Sequence, residues 1–249
     1  MKTIGIVAHS AEGGALCFIK ACREGSRVLG AHMHPPIVVS AIPMAISMPS
    51  WQANDHEAVG EILARGVEQV ARAGADFYIC PDNTAHIVLE QWAHRLPLPG
   101  LHIADVVCAE IASRGWRRVG LLGTNWTMTG PVYRAKLGEK GCERLTPDEP
   151  TRQRLHTAIF DELCQGVFRP ETTELFVVAI RELQDRGAEC VILGCTEIPL
   201  IVNDENSPLP TLDSTRLLAL YAVREAIAER QIERATGWLD PSVDLPSTD

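Results

Sequence analysis

Short apolar runs alternate along the chain with longer segments in which apolar residues recur at helical spacing. Ile4–Ala8, Ile37–Ile42 and Phe77–Cys80 have the length and composition of buried strands. Residues 55–73 place apolar side chains on one helical face, and Asp55 suits the N-cap of that helix. This alternation predicts an α/β protein with parallel sheets.

The second half of the chain repeats this plan. Val119–Leu122 and Cys190–Leu193 are its predicted strands, and 210–212 is a shorter one. Met44–Ala53 and Gly123–Gly130 are predicted to be loops. Helices are predicted at 15–24, 86–93, 105–113, 153–165, 172–185 and 217–232.

Two pairs of similar stretches indicate an internal duplication. Aligning Gly74 with Gly187 shifts the numbering by 113 residues, and aligning Gly5 with Gly120 shifts it by 115. Two similar shifts indicate a repeated unit of a little over a hundred residues. We therefore expect two pseudo-symmetric Rossmann-like halves, each a mainly parallel sheet flanked by helices.

The duplication also predicts the domain boundaries. Residues 1–97 together with 209–232 should form the first α/β half, 98–208 the second, and 235–249 a loose C-terminal tail. In parallel α/β sheets, ligands bind beyond the carboxyl ends of the strands. An active site in a cleft between the halves is the expectation.

Composition narrows the class of protein. The chain has 249 residues, 46% of them hydrophobic, and a formal net charge of −9, which disfavours nucleic acid as a partner. It contains no apolar run long enough for a membrane helix and no signal-peptide pattern. Its eight cysteines include no CxxC pair and predict reduced thiols and a cytoplasmic location. The spacing of His and Cys fits no common metal site.

The shift of 113 residues aligns Asp82 with Cys195. A thiolate and a carboxylate are both acid/base groups, and a pair on opposite faces of one carbon could invert a stereocentre without a cofactor. The structural alternatives are a turn or cap residue for Asp82 and a buried thiol for Cys195. Cys80, His9 and His86 are rival candidates, and His86 could equally be a solvated helix residue.

Three motifs resemble the aspartate/glutamate racemase superfamily: Asp82–His86, Gly123–Tyr133 and Gly194–Leu200. The resemblance extends over nearly the whole chain. It implies a cofactor-independent amino-acid racemase with two catalytic cysteines, two α/β halves and a homodimeric assembly. This chain departs from the pattern at Asp82, where the family has its first cysteine.

The same resemblance implies the remaining site residues. The groups expected to bind the substrate's carboxylate and amino groups are Asn83, Thr84, Thr124, Thr127, Thr196 and Glu197, with Ser10 and Gln52 contributing from the first half.

The departure at Asp82 leaves three functions open. The first is an amino-acid racemase or epimerase that uses Cys195 and Asp82. The second is a one-sided lyase, decarboxylase or cis–trans isomerase of a small carboxylic acid that uses Cys195. The third is a small-acid-binding homologue. A charge on Asp82 would repel a second substrate carboxylate by about 4 kcal/mol at about 4 Å and would attract an amine.

Overall fold

The computed structural model describes residues 1–229, 232 and 236–242. The chain divides into two compact units. The first contains Met1–Val106 and the described residues from Thr215 onward, and the second contains Val107–Ser214. Each unit has a four-stranded parallel sheet, which confirms the parallel sheet expected in each half.

The sheet of the first unit is parallel, with strand order β2-β1-β3-β4. Its strands are β1 (Ile4–Ala8), β2 (Ile37–Ala41), β3 (Phe77–Ile79) and β4 (Gly100–Leu101). The helices are α1 (Ala11–Leu29), α2 (Met44–Gln52), α3 (His56–Arg72), α4 (His86–Trp92) and α5 (Ile103–Arg114), the last of which runs across the unit boundary in sequence.

The sheet of the second unit is also parallel and has the equivalent order, β6-β5-β7-β8. Its strands are β5 (Arg118–Gly123), β6 (Glu143–Leu145), β7 (Cys190–Gly194) and β8 (Thr211–Asp213). The helices are α6 (Asn125–Thr129), α7 (Pro131–Glu139), α8 (Glu149–Asp161), α9 (Pro170–Asp185) and α10 (Ser214–Ile227), which belongs to the first unit from Thr215. Short 3₁₀ turns lie at Ala93–Arg95, Leu163–Gln165 and Ile198–Leu200.

The two sheets share their register as well as their order. Ile6 of β1 pairs with Ile79 of β3, and Leu121 of β5 pairs with Ile192 of β7. The shift of 115 residues aligns Ile6 with Leu121, and the shift of 113 residues aligns Ile79 with Ile192. The duplicated fold predicted from the sequence is therefore confirmed at the level of strand pairing.

The glycines that align the two halves have a shared conformational role. Gly74 follows α3 and has φ of 90°, and Gly187 follows α9 and has φ of 87°. A side chain is disfavoured at such positive φ values, so glycine ends each helix and turns the chain into β3 or β7. The similarity of the two stretches thus follows from one backbone requirement met twice.

Helix α3 shows how the apolar pattern builds the core. Its apolar face is buried as predicted, and Asp55 caps the helix by accepting a hydrogen bond from Ala58 N at 3.0 Å. Such a cap stabilises a helix by about 1 kcal/mol. All five residues of both β1 and β7 are buried, as in parallel strands covered on both faces.

The predicted loop at Met44–Ala53 is wrong, because most of it is helix α2. Pro49 lies inside this helix, where it removes one N–H donor, so the sequence pattern did not indicate a helix. Two buried side chains, Ser47 and Trp51, fix α2 against the rest of the first unit.

Both boundaries between the units lie at later residues than the sequence predicted, and the pairing of two short strands accounts for the difference. β4 pairs with β3 and so belongs to the first sheet, whereas β8 pairs with β7 and belongs to the second. Strands of two or three residues carry too little pattern to be assigned to a sheet from sequence.

Part of the predicted loose tail is fixed on the first unit. Trp238 forms a bridge with Gly100, and its ring lies 4.6 Å from that of His102 and 5.5 Å from that of His86. Residues 235 and 243–249 of the predicted tail, and residues 230–231 of the predicted last helix, lie outside the described residues.

Candidate active site

Asp82 lies just beyond the carboxyl end of β3, with its side chain 23% exposed. Its Oδ1 accepts hydrogen bonds from the backbone N–H groups of Thr84 at 2.9 Å and Ala85 at 3.2 Å. Its Oδ2 lies 2.7 Å from Nδ1 of His9. The carboxylate therefore shapes the turn with one oxygen and contacts a titratable side chain with the other.

His9 connects Asp82 to helix α2. It directly follows β1, is 3% exposed, and places Nε2 2.6 Å from Oγ of Ser47. Ser47 is fully buried, and its Oγ also donates to the carbonyl oxygen of Met44 at 3.0 Å. A chain of hydrogen bonds thus runs from Ser47 through His9 to Asp82.

The surroundings of Asp82 favour its ionised form. Burial alone would raise the pKa of the carboxyl group. The hydrogen bond and charge of His9, with the backbone N–H of Ala85 and the more distant His86, outweigh burial and lower that pKa below its ordinary value. Asp82 is therefore a carboxylate at neutral pH.

Two rival candidates, Cys80 and His86, are buried and neutral. Burial, with a smaller effect of the Asp82 charge, raises the pKa of the Cys80 thiol well above its ordinary value. Burial and the neighbouring His102 lower the pKa of His86 to about 3. His86 Nε2 donates to the carbonyl oxygen of Cys80 at 3.1 Å. The interpretation of His86 as a solvated residue is wrong.

The other predicted residues of the first unit differ in their placement. Asn83 and Thr84 are buried beside Asp82. Ser10 follows His9 and caps α1, where its Oγ accepts a hydrogen bond from Gly13 N at 3.2 Å. Gln52 is exposed at the end of α2, and no described contact joins it to Asp82.

In the second unit, two glycines bring the ends of neighbouring strands together. Gly123 of β5 pairs with Gly194 of β7. A Cβ on Gly194 would lie 2.8 Å from the carbonyl oxygen of Leu122, and one on Gly123 would lie 2.7 Å from that of Gly194. Neither position has room for a side chain, so the two strands can lie this close together at their ends. Thr124 and Cys195 are the next residues after these paired glycines.

Thr124 and Thr127 form one hydrogen-bonded group. Thr124 caps α6, its Oγ1 accepting from Thr127 N at 3.1 Å, and the two hydroxyl oxygens are 3.2 Å apart. Both residues are buried. The predicted loop at Gly123–Gly130 therefore contains the short helix α6, whose five residues show no helical period.

Cys195 lies immediately after β7 and contacts a buried carboxylate. Its Sγ donates to Oε2 of Glu197 at 3.0 Å, and Oγ1 of Thr196 donates to the same oxygen at 2.8 Å. Glu197 is 2% exposed, and its Oε1 has no hydrogen-bond partner among the described residues. Hydrogen bonds thus join the three predicted residues of this motif, Cys195, Thr196 and Glu197.

These surroundings keep Cys195 protonated. Burial, and then the charge of Glu197 and the nearby Cys164, raise the pKa of the Cys195 thiol well above its ordinary value. Asp82 and Cys195 therefore differ in protonation state, since one is a carboxylate and the other a thiol.

Sequence reasoning missed two residues that support the site. One is Ser47, described above. The other is His156 of α8, whose Nδ1 accepts a hydrogen bond from Asn125 N at 3.2 Å at the start of α6. Its ring packs against Trp126 and Phe160, with centroids 5.1 Å and 4.9 Å away. Neither residue belongs to a motif, so only the folded chain reveals them.

In the part of the chain that the structure describes, no group of three or more His, Cys, Asp or Glu side chains could hold a metal ion. The helices of the same residues are all too short or too polar to cross a membrane.

Comparison with known proteins identifies similar chains and folds. The broad specificity amino-acid racemase RacX of Bacillus subtilis (strain 168) is 26% identical over 174 residues, which are 70% of this chain and 75% of RacX. An aspartate racemase homologue from Pyrococcus horikoshii OT3 is 30% identical with a TM-score of 0.75, covering 91% of this chain and 99% of that one. A candidate Asp/Glu racemase from Yersinia pestis is 29% identical with a TM-score of 0.82, covering 92% and 100%.

The sequence also matches a model of one protein family. The model described as Asp/Glu/Hydantoin racemase matches residues 15–222, which include both strand ends that carry Asp82 and Cys195. The resemblance noted in the sequence is thereby confirmed, and the chain belongs to the Asp/Glu/Hydantoin racemase family.

Proposed function

We propose that this protein is a cofactor-independent amino-acid racemase or epimerase. It inverts Cα by removing a proton from one face and returning one to the other, with Asp82 and Cys195 as the two acid/base groups. The observation that carries this proposal is the position of both residues just after matched strands of the duplicated fold, Asp82 after β3 and Cys195 after β7.

The protonation states of the two groups suit opposite halves of one reaction. The Asp82 carboxylate accepts the Cα proton, and the electron pair of the C–H bond passes into an enolate of the substrate carboxyl group. The Cys195 thiol then gives its proton to the opposite face of Cα and becomes a thiolate. In the reverse direction each group starts in the other state.

The residues around each group supply the substrate contacts. Asn83 and Thr84 adjoin Asp82, whereas Thr124, Thr127 and Thr196 adjoin Cys195, and their hydroxyl and amide groups suit a substrate carboxylate. Ser10 and Gln52 are proposed to contribute from the first unit. The unpartnered Oε1 of Glu197 suits a substrate ammonium group.

Deuterium incorporation tests the proposal. Single L- and D-amino acids are incubated with the protein in D₂O, and loss of the Cα proton signal is followed by NMR together with chiral analysis. If the two acid/base groups act on opposite faces of Cα, the product should carry deuterium and the remaining substrate should not. Cys195→Ser should abolish the exchange, while Cys22→Ser, at a partly exposed cysteine of α1, should retain it. A full panel of amino acids with no exchange would refute the proposal.

A one-sided lyase or decarboxylase is the second candidate. The observation that favours it is the protonated state of Cys195, because a thiol can protonate an enolate left by loss of CO₂. Incubation with malonate-type acids and maleate, followed by product analysis, separates the two functions. Turnover of these acids without amino-acid exchange would favour the second.

We also propose a homodimer that acts in the cytoplasm, on the basis of the family resemblance. All eight cysteines are free thiols, in keeping with a reducing compartment. Light scattering coupled to size exclusion should give about twice the chain mass of 27.2 kDa. A mass of one chain would refute the dimer.

A further inference from the structure

We infer that His9 is the positioning residue of Asp82. Its imidazole holds the carboxylate so that one lone pair of Oδ2 is left for the substrate proton. This inference rests on the proposed function, in which Asp82 is one of the two acid/base groups.

The hydrogen bonds of the Asp82 carboxylate indicate which of its two oxygens takes the substrate proton. A carboxylate offers about four acceptor sites. Oδ1 of Asp82 receives the N–H groups of Thr84 and Ala85, and Oδ2 receives His9 Nδ1. These three bonds leave one acceptor site of the four, and it is on Oδ2. The Asp82 side chain is 23% exposed and that of His9 only 3%, so a substrate can reach the carboxylate but not the imidazole.

The hydroxyl of Ser47 holds the other side of the His9 ring. Ser47 Oγ lies 2.6 Å from His9 Nε2 and 3.0 Å from the carbonyl oxygen of Met44. Because Ser47 is fully buried in α2, the ring is held between this helix and the 2.7 Å contact of Nδ1 with Asp82.

The rate of Cα exchange in two His9 variants tests this role. His9→Asn keeps a donor toward Asp82, whereas His9→Ala removes the donor. We expect His9→Ala to lower kcat by about a hundredfold with little change in KM. His9→Asn should restore kcat to within about tenfold of the wild-type value. The exposed His94→Asn serves as the matched control.

A second measurement does not depend on activity or on a stable His9 variant. Nitrogen-15 NMR of the imidazole rings shows which nitrogen of His9 carries a proton in wild type and in Asp82→Asn. We expect a protonated Nδ1 in wild type, where this nitrogen faces Oδ2 of Asp82 at 2.7 Å. An Nδ1 without a proton in wild type, or a His9→Ala kcat equal to that of wild type, would overturn this inference even in an active enzyme. Absence of exchange in wild type would instead overturn the proposed function.

Discussion

The thiol of Cys195 donates a hydrogen bond to Oε2 of Glu197 over 3.0 Å. This contact places a buried carboxylate directly against the proposed acid, where its charge opposes formation of a thiolate. Oδ2 of Asp82 instead faces an imidazole that can be cationic. The two proposed catalytic groups thus occupy matched positions in the fold but opposite electrostatic environments.

Glu197→Gln should make Cys195 more reactive. Removal of the negative charge lowers the pKa of the thiol and so enlarges its thiolate fraction. Because the thiolate is the reacting form, we expect iodoacetamide to alkylate Cys195 about tenfold faster near pH 8. Peptide mapping by mass spectrometry measures the rate at each of the eight cysteines separately.

The exposed Glu205 provides a control of the same chemistry. Glu205→Gln should leave the alkylation rate of Cys195 unchanged. An unchanged rate in Glu197→Gln as well would show that Glu197 does not control the thiol.

Asp82→Asn should reduce Cα exchange by at least a hundredfold, because an amide cannot accept the proton. The amide can still accept from the N–H groups of Thr84 and Ala85, so the turn should survive. Asp82→Cys should recover exchange relative to Asp82→Asn, since a thiolate is a stronger base than a carboxylate. Deuterium incorporation into both enantiomers of each substrate measures these rates.

The exposed Asp185→Asn, at the end of α9, is the matched control and should exchange at the wild-type rate. Full activity in Asp82→Asn would exclude Asp82 as a base and would leave Cys195 as a one-sided catalyst.

The features that could be predicted from sequence are those fixed by local or repeated requirements. The apolar face of α3 follows from helical spacing, and its cap from Asp55. The matched placement of Asp82 and Cys195 follows from Gly74 and Gly187, because both glycines adopt the positive φ that ends a helix before a buried strand.

The features that could not be predicted depend on contacts between distant parts of the chain. His9, Ser47 and Asp82 meet only after β1, α2 and β3 have assembled. Strand β6 has three residues, two of them charged, and lies at the edge of its sheet, so it has no apolar period. Trp238 extends the first sheet at Gly100 from a segment with no strand pattern.

Gly194→Ala should destabilise the second unit. The added Cβ would lie 2.8 Å from the carbonyl oxygen of Leu122 and 3.3 Å from Cγ2 of Thr127, and the backbone cannot yield easily. We expect the free energy of unfolding to fall by about 1–3 kcal/mol. In contrast, Gly138→Ala within α7 meets no atom within 4 Å and should raise it by about 0.5 kcal/mol. Urea unfolding measures both free energies when the dependence on urea concentration has the same slope in each protein. Equal effects of the two substitutions would contradict the close approach of β5 and β7.

His86 makes the first unit sensitive to acid. Burial and His102 lower its pKa to about 3 in the folded chain, from 6.5 in its unperturbed state. Between these values the unfolded chain binds a proton that the folded chain does not. Stability therefore rises with pH across this window, and the contribution of His86 is lost as the pH falls from about 6.5 toward 3.

His86→Gln should make folding less sensitive to acid. The amide can replace Nε2 as a donor to the carbonyl oxygen of Cys80 and does not titrate, so the slope due to His86, about 1.4 kcal/mol per pH unit, should disappear. Unfolding free energies measured in urea between pH 4 and pH 6.5 should then fall less steeply for His86→Gln than for wild type. The exposed His94→Gln should follow the wild-type slope. Parallel slopes for His86→Gln and wild type would mean that His86 takes up its proton without opening the fold.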